Sequence, residues 1–298
     1  MPSFSRLFRI GRSPEGGGVD GAAELARFSN LTSTAYKRHI QTLHESGDRR
    51  NPDLLAGALL TAEQRERCLR LKPELLQAMR NDPYYYFLAA RTRFHDQALL
   101  DAVAAGIRRV MVMGSGFDTR LYRFGASLAN QGVSVAECDQ PEAIVAKRDL
   151  AAQLPFAARV CYLGVNLNDP QTYEPMLGWL AADASPVLII AEGVSPYIDE
   201  VRFVALLELL HLRCQAFSRF NYDFKRAGVA DAFGKSQGTA KPYRLVFDAQ
   251  AIASMHARFG YRSALVTDAA TLMKVQIPSW TEHVSPLFQE DGVVELVF

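Results

Sequence analysis

From Arg109 onward the chain is written in short apolar runs separated by amphipathic stretches. A parallel strand covered by helices on both faces reads as an unbroken hydrophobic run, because neither face meets water. Alternation of such runs with helical patterns is the signature of a parallel sheet built from βα units. The expected strands are Arg109 to Met113, Val133 to Cys138, Arg159 to Leu163, Val187 to Ala191, Ala216 to Tyr222, Tyr261 to Val266 and Gly292 to Phe298. No helical stretch follows the last run, which suits an antiparallel strand added to a mostly parallel sheet. The first third differs. Ala22 to His44 and Ala62 to Arg80 carry apolar residues at helical spacing. After Asn81-Asp82-Pro83 a long helix is expected over Tyr84 to Ala105, ending at Gly106. Residues 22–298 therefore read as one α/β unit, with a helical cap over 22–106 and a sheet core over 107–298. A segment over about 224–247, holding Lys225, Arg226, Lys241 and Arg244, is expected to cover the substrate side. Residues 1–21, with Arg6, Arg9, Arg12 and the run Gly16-Gly17-Gly18, read as a flexible N-terminus.

Composition narrows the function. With 298 residues, 49% hydrophobic, 22% charged and a formal net charge of +1, the chain is of the ordinary globular class. Nothing in that balance calls for nucleic acid or an anionic membrane surface, and no run reaches the length of a membrane-spanning helix. Cys68, Cys138, Cys161 and Cys214 are scattered, without zinc or dithiol spacing, and the six histidines form no i,i+4 pair. The expectations are no metal, reduced and mostly buried thiols, a cytoplasmic location, and a monomer or homodimer.

The strongest local signal is Val110-Met111-Val112-Met113-Gly114-Ser115-Gly116-Phe117-Asp118-Thr119-Arg120, a buried strand entering Gly-x-Gly and then a helix. Glycine there permits a tight turn and a close backbone approach to a ligand. Thr119 stands where dinucleotide binders carry a third glycine, which lowers NAD relative to a cofactor without phosphates. Asp139, about 20 residues past the turn, is placed to accept hydrogen bonds from ribose hydroxyls. It could equally cap the helix begun by Pro141. Arg91 and Arg93 could be solvated charges or partners of Asp96 and Asp101. Tyr84-Tyr85-Tyr86-Phe87 reads as core, and His95 and His256 as satisfied or exposed histidines.

Taken in order, Arg91-Thr92-Arg93 with Asp96, the 114–120 motif, Glu137-Cys138-Asp139-Gln140-Pro141, Asn166-Leu167, and Ala191-Glu192-Gly193-Val194-Ser195-Pro196-Tyr197 resemble the leucine carboxyl methyltransferase family. The resemblance extends from Ser33-Thr34-Ala35-Tyr36-Lys37-Arg38 to Asn221-Tyr222. It implies the class I methyltransferase fold, a Rossmann-like sheet of seven strands with an N-terminal helical cap, and S-adenosylmethionine as cofactor. It also implies that Arg91 holds the methionyl carboxylate, with Lys37 near the same anionic end or the substrate. Gly114 and Gly116 would lie against the methionyl and ribose portions, Asp139 would take the ribose, Asn166 and Leu167 the adenine, and Glu192 would sit beside the cofactor at the substrate mouth. Asn166 departs from the family's usual aspartate, a loss of charge expected to cost on the order of 1 kcal/mol.

A carboxylate acceptor is already ionised at neutral pH and needs no general base, whereas a hydroxyl needs one. No histidine follows the site strands, which favours methyl ester formation on a small-molecule natural product or peptide carboxylate. Tyr197 matches a site tyrosine of the family and would hydrogen-bond that acceptor. Methylation of a hydroxyl on a polyketide-like substrate is the alternative. From another class, the alternative is a non-catalytic or NAD-type Rossmann protein.

Overall fold

Val110, Met111, Val112 and Met113 offer no polar side-chain group to solvent. In the computed structural model, which describes residues 33–228, 241–281 and 285–298, they fill β1 (Arg109–Met113), a strand buried along its whole length. Seven further strands follow: β2 (Ser134–Asp139), β3 (Val160–Gly164), β4 (Val187–Ala191), β5 (Arg219–Arg226), the two-residue β6 (Arg244–Leu245), β7 (Ser263–Asp268) and β8 (Asp291–Val297). They form one sheet in the order β3-β2-β1-β4-β5-β8-β7, with β6 pairing β5 off that path. β1 to β5 run parallel, while β8 lies antiparallel between β5 and β7. This is the class I methyltransferase sheet. The winding reverses between β1 and β4, and in such sheets ligands bind outside the carboxyl ends of the strands at that reversal.

All seven expected strands are present, and β6 is an addition. The fifth moved most, from Ala216–Tyr222 to Arg219–Arg226. Its start is delayed by Phe217, which takes a left-handed backbone (φ 70°). Its end is prolonged because Phe220, Tyr222 and Phe224 bury one face while Asn221, Asp223 and Lys225 line the other. The expected covering segment over about 224–247 is thereby trimmed at both ends, since residues 224–226 belong to β5 and Arg244–Leu245 to β6; residues 229–240 lie outside the described residues.

The helical first third consists of α1 (Ser33–His44), α2 (Ala62–Leu69), α3 (Pro73–Asn81) and α4 (Pro83–Ala104). Residues 22–32 of the first expected helix, and residues 1–21, lie outside the described residues. The single pattern expected over Ala62 to Arg80 is two helices, because Pro73 drives Lys72 into an extended conformation (φ −65°, ψ 140°). Thr61 and Gln64 open α2 with reciprocal capping hydrogen bonds. Asp82 accepts from the Tyr84 N–H to start α4, which is buried on nearly every face, as a helix clamped between a sheet and other helices must be. Tyr85, Tyr86 and Phe87 pack with Ile40 of α1 and with Leu272 and Met273 of α6 (Ala269–Gln276), which places three of the four aromatics of the run in the core, with Tyr84 only partly buried against it. Among the described residues no helix is long and apolar enough to cross a membrane. Cys68 and Cys138 are buried as expected, but Cys161 is exposed.

Gly292 is the second residue of β8 and pairs with Phe224 of β5. A Cβ built there would come 2.5 Å from the Phe224 ring, itself buried in the core. Gly292→Ala should therefore destabilise the fold by about 1–3 kcal/mol, the range for overpacking, read as a lowered urea midpoint at unchanged slope.

Candidate cofactor and active site

The turn after β1 is shaped by backbone that only glycine tolerates well. Gly114 (φ 56°) and Gly116 (φ 40°) both lie in the left-handed region. A Cβ at Gly114 would strike Val194 at 2.5 Å, so the loops after β1 and β4 touch across the switch point. A Cβ at Gly116 would meet only the Gly114 carbonyl oxygen, 3.9 Å away, so the turn presents bare backbone on its outer side. Asp139 ends β2 beside it and accepts hydrogen bonds from the N–H groups of Gly116 (2.7 Å) and Gln140 (2.7 Å). The helix at Pro141 is therefore not capped by the Asp139 side chain; its N-cap residue is Gln140. Burial raises the Asp139 pKa, an effect those two N–H groups partly offset.

At the end of β4 stands Glu192, whose side chain is 3% exposed and is surrounded by guanidinium groups. Its Oε1 accepts from Arg38 of α1 (2.5 Å) and Arg91 of α4 (3.2 Å), and its Oε2 from Arg120 after the glycine turn (2.8 Å). Burial alone would raise this carboxyl's pKa, but the three cations outweigh it and hold it well below the usual range. The network continues outward. Arg91 also donates to Asp223 of β5 (3.1 Å) and to the Tyr84 hydroxyl (3.3 Å). Arg120 reaches Asp118 and Asp96, Arg123 pairs with Asp96 (2.7 Å), and Arg38 with Asp53 (3.4 Å). Arg91 and Arg93 thus do not pair with Asp96 or Asp101: Arg91 turns inward, while Arg93 donates to the carbonyl oxygens of Asp48 and Arg50.

Of the expected site residues, Arg91 and Glu192 are in direct contact, and Asp139 is joined to Gly116. Lys37 stands apart from Glu192, 3.7 Å from Asp82 and 4.8 Å above the Tyr84 ring, and is linked to Arg91 through that tyrosine. Asn166 closes its own loop by accepting from the Asn168 N–H (3.0 Å), and Leu167 is buried beside it. Tyr197 lies in a short turn after β4 whose carbonyl accepts from Asn168 (2.9 Å), tying that turn to the Asn166 loop. Arg38, Asp53, Asp118, Arg120 and Asp223 belong to the site without having been singled out. The polar alternation Asn221, Asp223, Lys225 was the available signal for the last. His95 is neither exposed nor satisfied: it is fully buried, its ring nitrogens have no hydrogen-bond partner, and Nε2 lies 3.9 Å from Asp223. Burial drives its pKa down to about 3. His256 is satisfied by Tyr222 (2.8 Å) and the Ile252 carbonyl (2.7 Å).

Residues 32–211 match the model of the leucine carboxyl methyltransferase family. The chain belongs to this family. A Mycobacteroides abscessus protein provisionally named an S-adenosyl-L-methionine-dependent methyltransferase is 38% identical over 114 residues, covering 38% of this chain and 35% of that protein. A similarly named Mycobacterium marinum protein is 37% identical over 133 residues, covering 44% and 42%. The match thus spans well under half the length of these curated relatives. Among solved structures, an S-adenosylmethionine-dependent methyltransferase from Mesorhizobium loti gives a TM-score of 0.45 at 16% identity, over 70% of this chain and 98% of that one. The residues at the switch point fit S-adenosylmethionine, the cofactor named for these relatives: an open glycine turn, an acidic strand end hydrogen-bonded to that turn, and a buried guanidinium between β4 and β5.

Beneath the turn lies a second buried group. Lys147, on α5 (Pro141–Ala151), donates to the Ser115 carbonyl (3.1 Å) and pairs with Glu137 of β2 (2.9 Å), which also accepts from Tyr122 (2.9 Å). Burial pushes the Glu137 carboxyl up to about 7 despite Lys147. Its folded pKa thus exceeds its unfolded value, so the folded state holds the extra proton, and stability from this group is lost as pH rises from about 4.5 to about 7. Glu137→Gln should flatten that decline in urea unfolding across the same window. Asp139→Ala removes a charged acceptor and should weaken S-adenosylhomocysteine binding about 10- to 100-fold, equivalent to about 1.5–3 kcal/mol, measured by calorimetric titration.

Proposed function

We propose that this chain is an S-adenosylmethionine-dependent O-methyltransferase that converts a carboxylate of a small-molecule natural product or peptide to its methyl ester. The observation that carries this is the setting of His95, among the described residues the only histidine in the ion network, whose burial leaves it too weak a base to deprotonate a hydroxyl near neutral pH. A carboxylate needs no such base, so the remaining task is alignment and exclusion of water.

In this reading Arg91 would hold the methionyl carboxylate, with Lys37 near that end or the substrate, and Gly114 and Gly116 would allow the backbone close to the methionyl and ribose portions. Asp139 would accept from the ribose hydroxyls, while Asn166 and Leu167 would meet the adenine. The cofactor supplies a methyl group on a positively charged sulfur. Glu192 would act by fixing the guanidinium groups around it, and Tyr197 would donate its hydroxyl to the acceptor. The helical cap, described over residues 33–106, would close over the sheet core. A cytoplasmic location and a role in secondary metabolism accord with this reading.

A second reading, methylation of a hydroxyl, draws on Asp291. Burial pushes its carboxyl up to about 6 even beside Lys225, which makes it a potential base. The two readings separate on 4-hydroxyphenylacetate, which carries both groups. With methyl-labelled cofactor, an ester product releases its label as methanol in mild alkali, whereas an ether retains it. We expect alkali-labile label; alkali-stable label would instead favour the hydroxyl reading.

A further inference from the structure

Three cations from three elements converge on the ring of Tyr84. Lys37 of α1 lies 4.8 Å from its centroid, Lys225 of β5 5.6 Å, and the Arg91 guanidinium of α4 5.8 Å. All are within the roughly 6 Å over which an aromatic face attracts a cation. Arg91 is already answered by Glu192 and Asp223. The lysines are answered differently. Lys37, though its side chain is only 13% exposed, has its ion partner Asp82 at 3.7 Å, and that aspartate is half-exposed. Burial lowers the Lys37 pKa, and the charge of Lys225 lowers it further. Lys225, 4% exposed, lies 2.7 Å from Asp291.

The position is as telling as the charge. Lys225 follows Asp223 by two residues on β5 and so shares its face, at the carboxyl end of the sheet where the cofactor site opens. Lys225 also stands 4.9 Å from the Phe288 centroid. Tyr84, Phe87 and Phe288 form a continuous aromatic wall, with centroids 4.7 to 6.0 Å apart. A second charged group beside a partly exposed ring with buried aromatics behind it suits an amphipathic anion: the cations meet the charge and the Tyr84 ring meets its body.

We propose that Lys225 and Lys37, flanking Tyr84, form the subsite that holds the acceptor's carboxylate, and that the Tyr84 ring, backed by Phe87 and Phe288, favours a carboxylate borne on an apolar body. This rests on the carboxyl-methylation reading above. It also gives the site a way to tell substrate from product, since esterification removes the charge that the lysines recognise.

The test uses the full chain saturated with S-adenosylhomocysteine, titrated calorimetrically with phenylacetate, 4-phenylbutyrate and octanoate, each against its own methyl ester. Wild-type protein is expected to bind at least one acid about ten-fold or more tightly than its ester, a gap that added chloride narrows as screening requires. Lys225→Met should collapse that preference to about three-fold or less while S-adenosylhomocysteine affinity is unchanged, and Lys225→Arg should retain it. If Lys225→Met keeps the full preference, or the wild-type preference does not respond to salt, the subsite is wrong while carboxyl methylation stands. If no acid is preferred over its ester in wild type, both fall; loss of S-adenosylhomocysteine binding in wild type would overturn the cofactor assignment instead. Should Lys225→Met fail to fold, the salt response of the wild type decides alone.

Discussion

A single carboxylate, Glu192, joins the helical first third to the sheet. It receives Arg38 from α1, Arg91 from α4 and Arg120 from the segment after β1, while sitting itself at the end of β4. An ion buried this far costs several kcal/mol to desolvate and is tolerated only when its oxygens are filled by well-placed donors. Here each donor comes from a different part of the chain, so the desolvation cost is met only when all of those parts have docked. The network thereby couples the position of α4, and with it Arg91, to the geometry of the strand ends. Breaking one partner of such a group is generally far more damaging than replacing the whole set by apolar residues.

The same arrangement separates holding from recognising. Glu192, Asp118, Asp96 and Asp53 are occupied with arginines. Other groups are held differently: Asp139, on one side of the switch point, accepts from backbone N–H groups, while on the other Lys37 lies 3.7 Å from the half-exposed Asp82 and Lys225 lies 2.7 Å from Asp291. In the orientation proposed for the cofactor, the acid would lie at the sugar end and the cations at the sulfur and acceptor end. Between them lies the contact of Gly114 with Val194, where two loops meet without a side chain to spare.

Much of the fold was legible because parallel strands leave a blunt mark. Arg109–Met113 and Val187–Ala191 were placed to the residue, as runs that are apolar on both faces must be. Motif residues were also legible: Asp139 and Gly116 do meet, and Arg91 does turn inward. Three things were not. The break at Lys72 is made by the proline that follows it and is invisible to periodicity alone. The extension of β5 carries Asp223 and Lys225 into the site, and its alternating pattern resembles a surface strand although both faces are covered. The network around Glu192 depends on contacts up to 154 positions apart, which no local pattern encodes. His95 could be recognised as buried only once α4 was seen to be enclosed on nearly every face.

The insertion of β8 between β5 and β7 has a bearing on how the molecule is assembled in time. Among the described residues β7 joins the sheet only through β8, which also pairs along the edge of β5, the strand that carries Asp223 and Lys225. Until residues 291–297 are available, a growing chain carries an open parallel sheet ending at β5, with a row of unpaired backbone groups along a strand rich in aromatic residues. Such an edge is a template for pairing with a neighbouring chain. The site and the protection against aggregation are thus completed by the same last strand, and a chain halted before it would lack both.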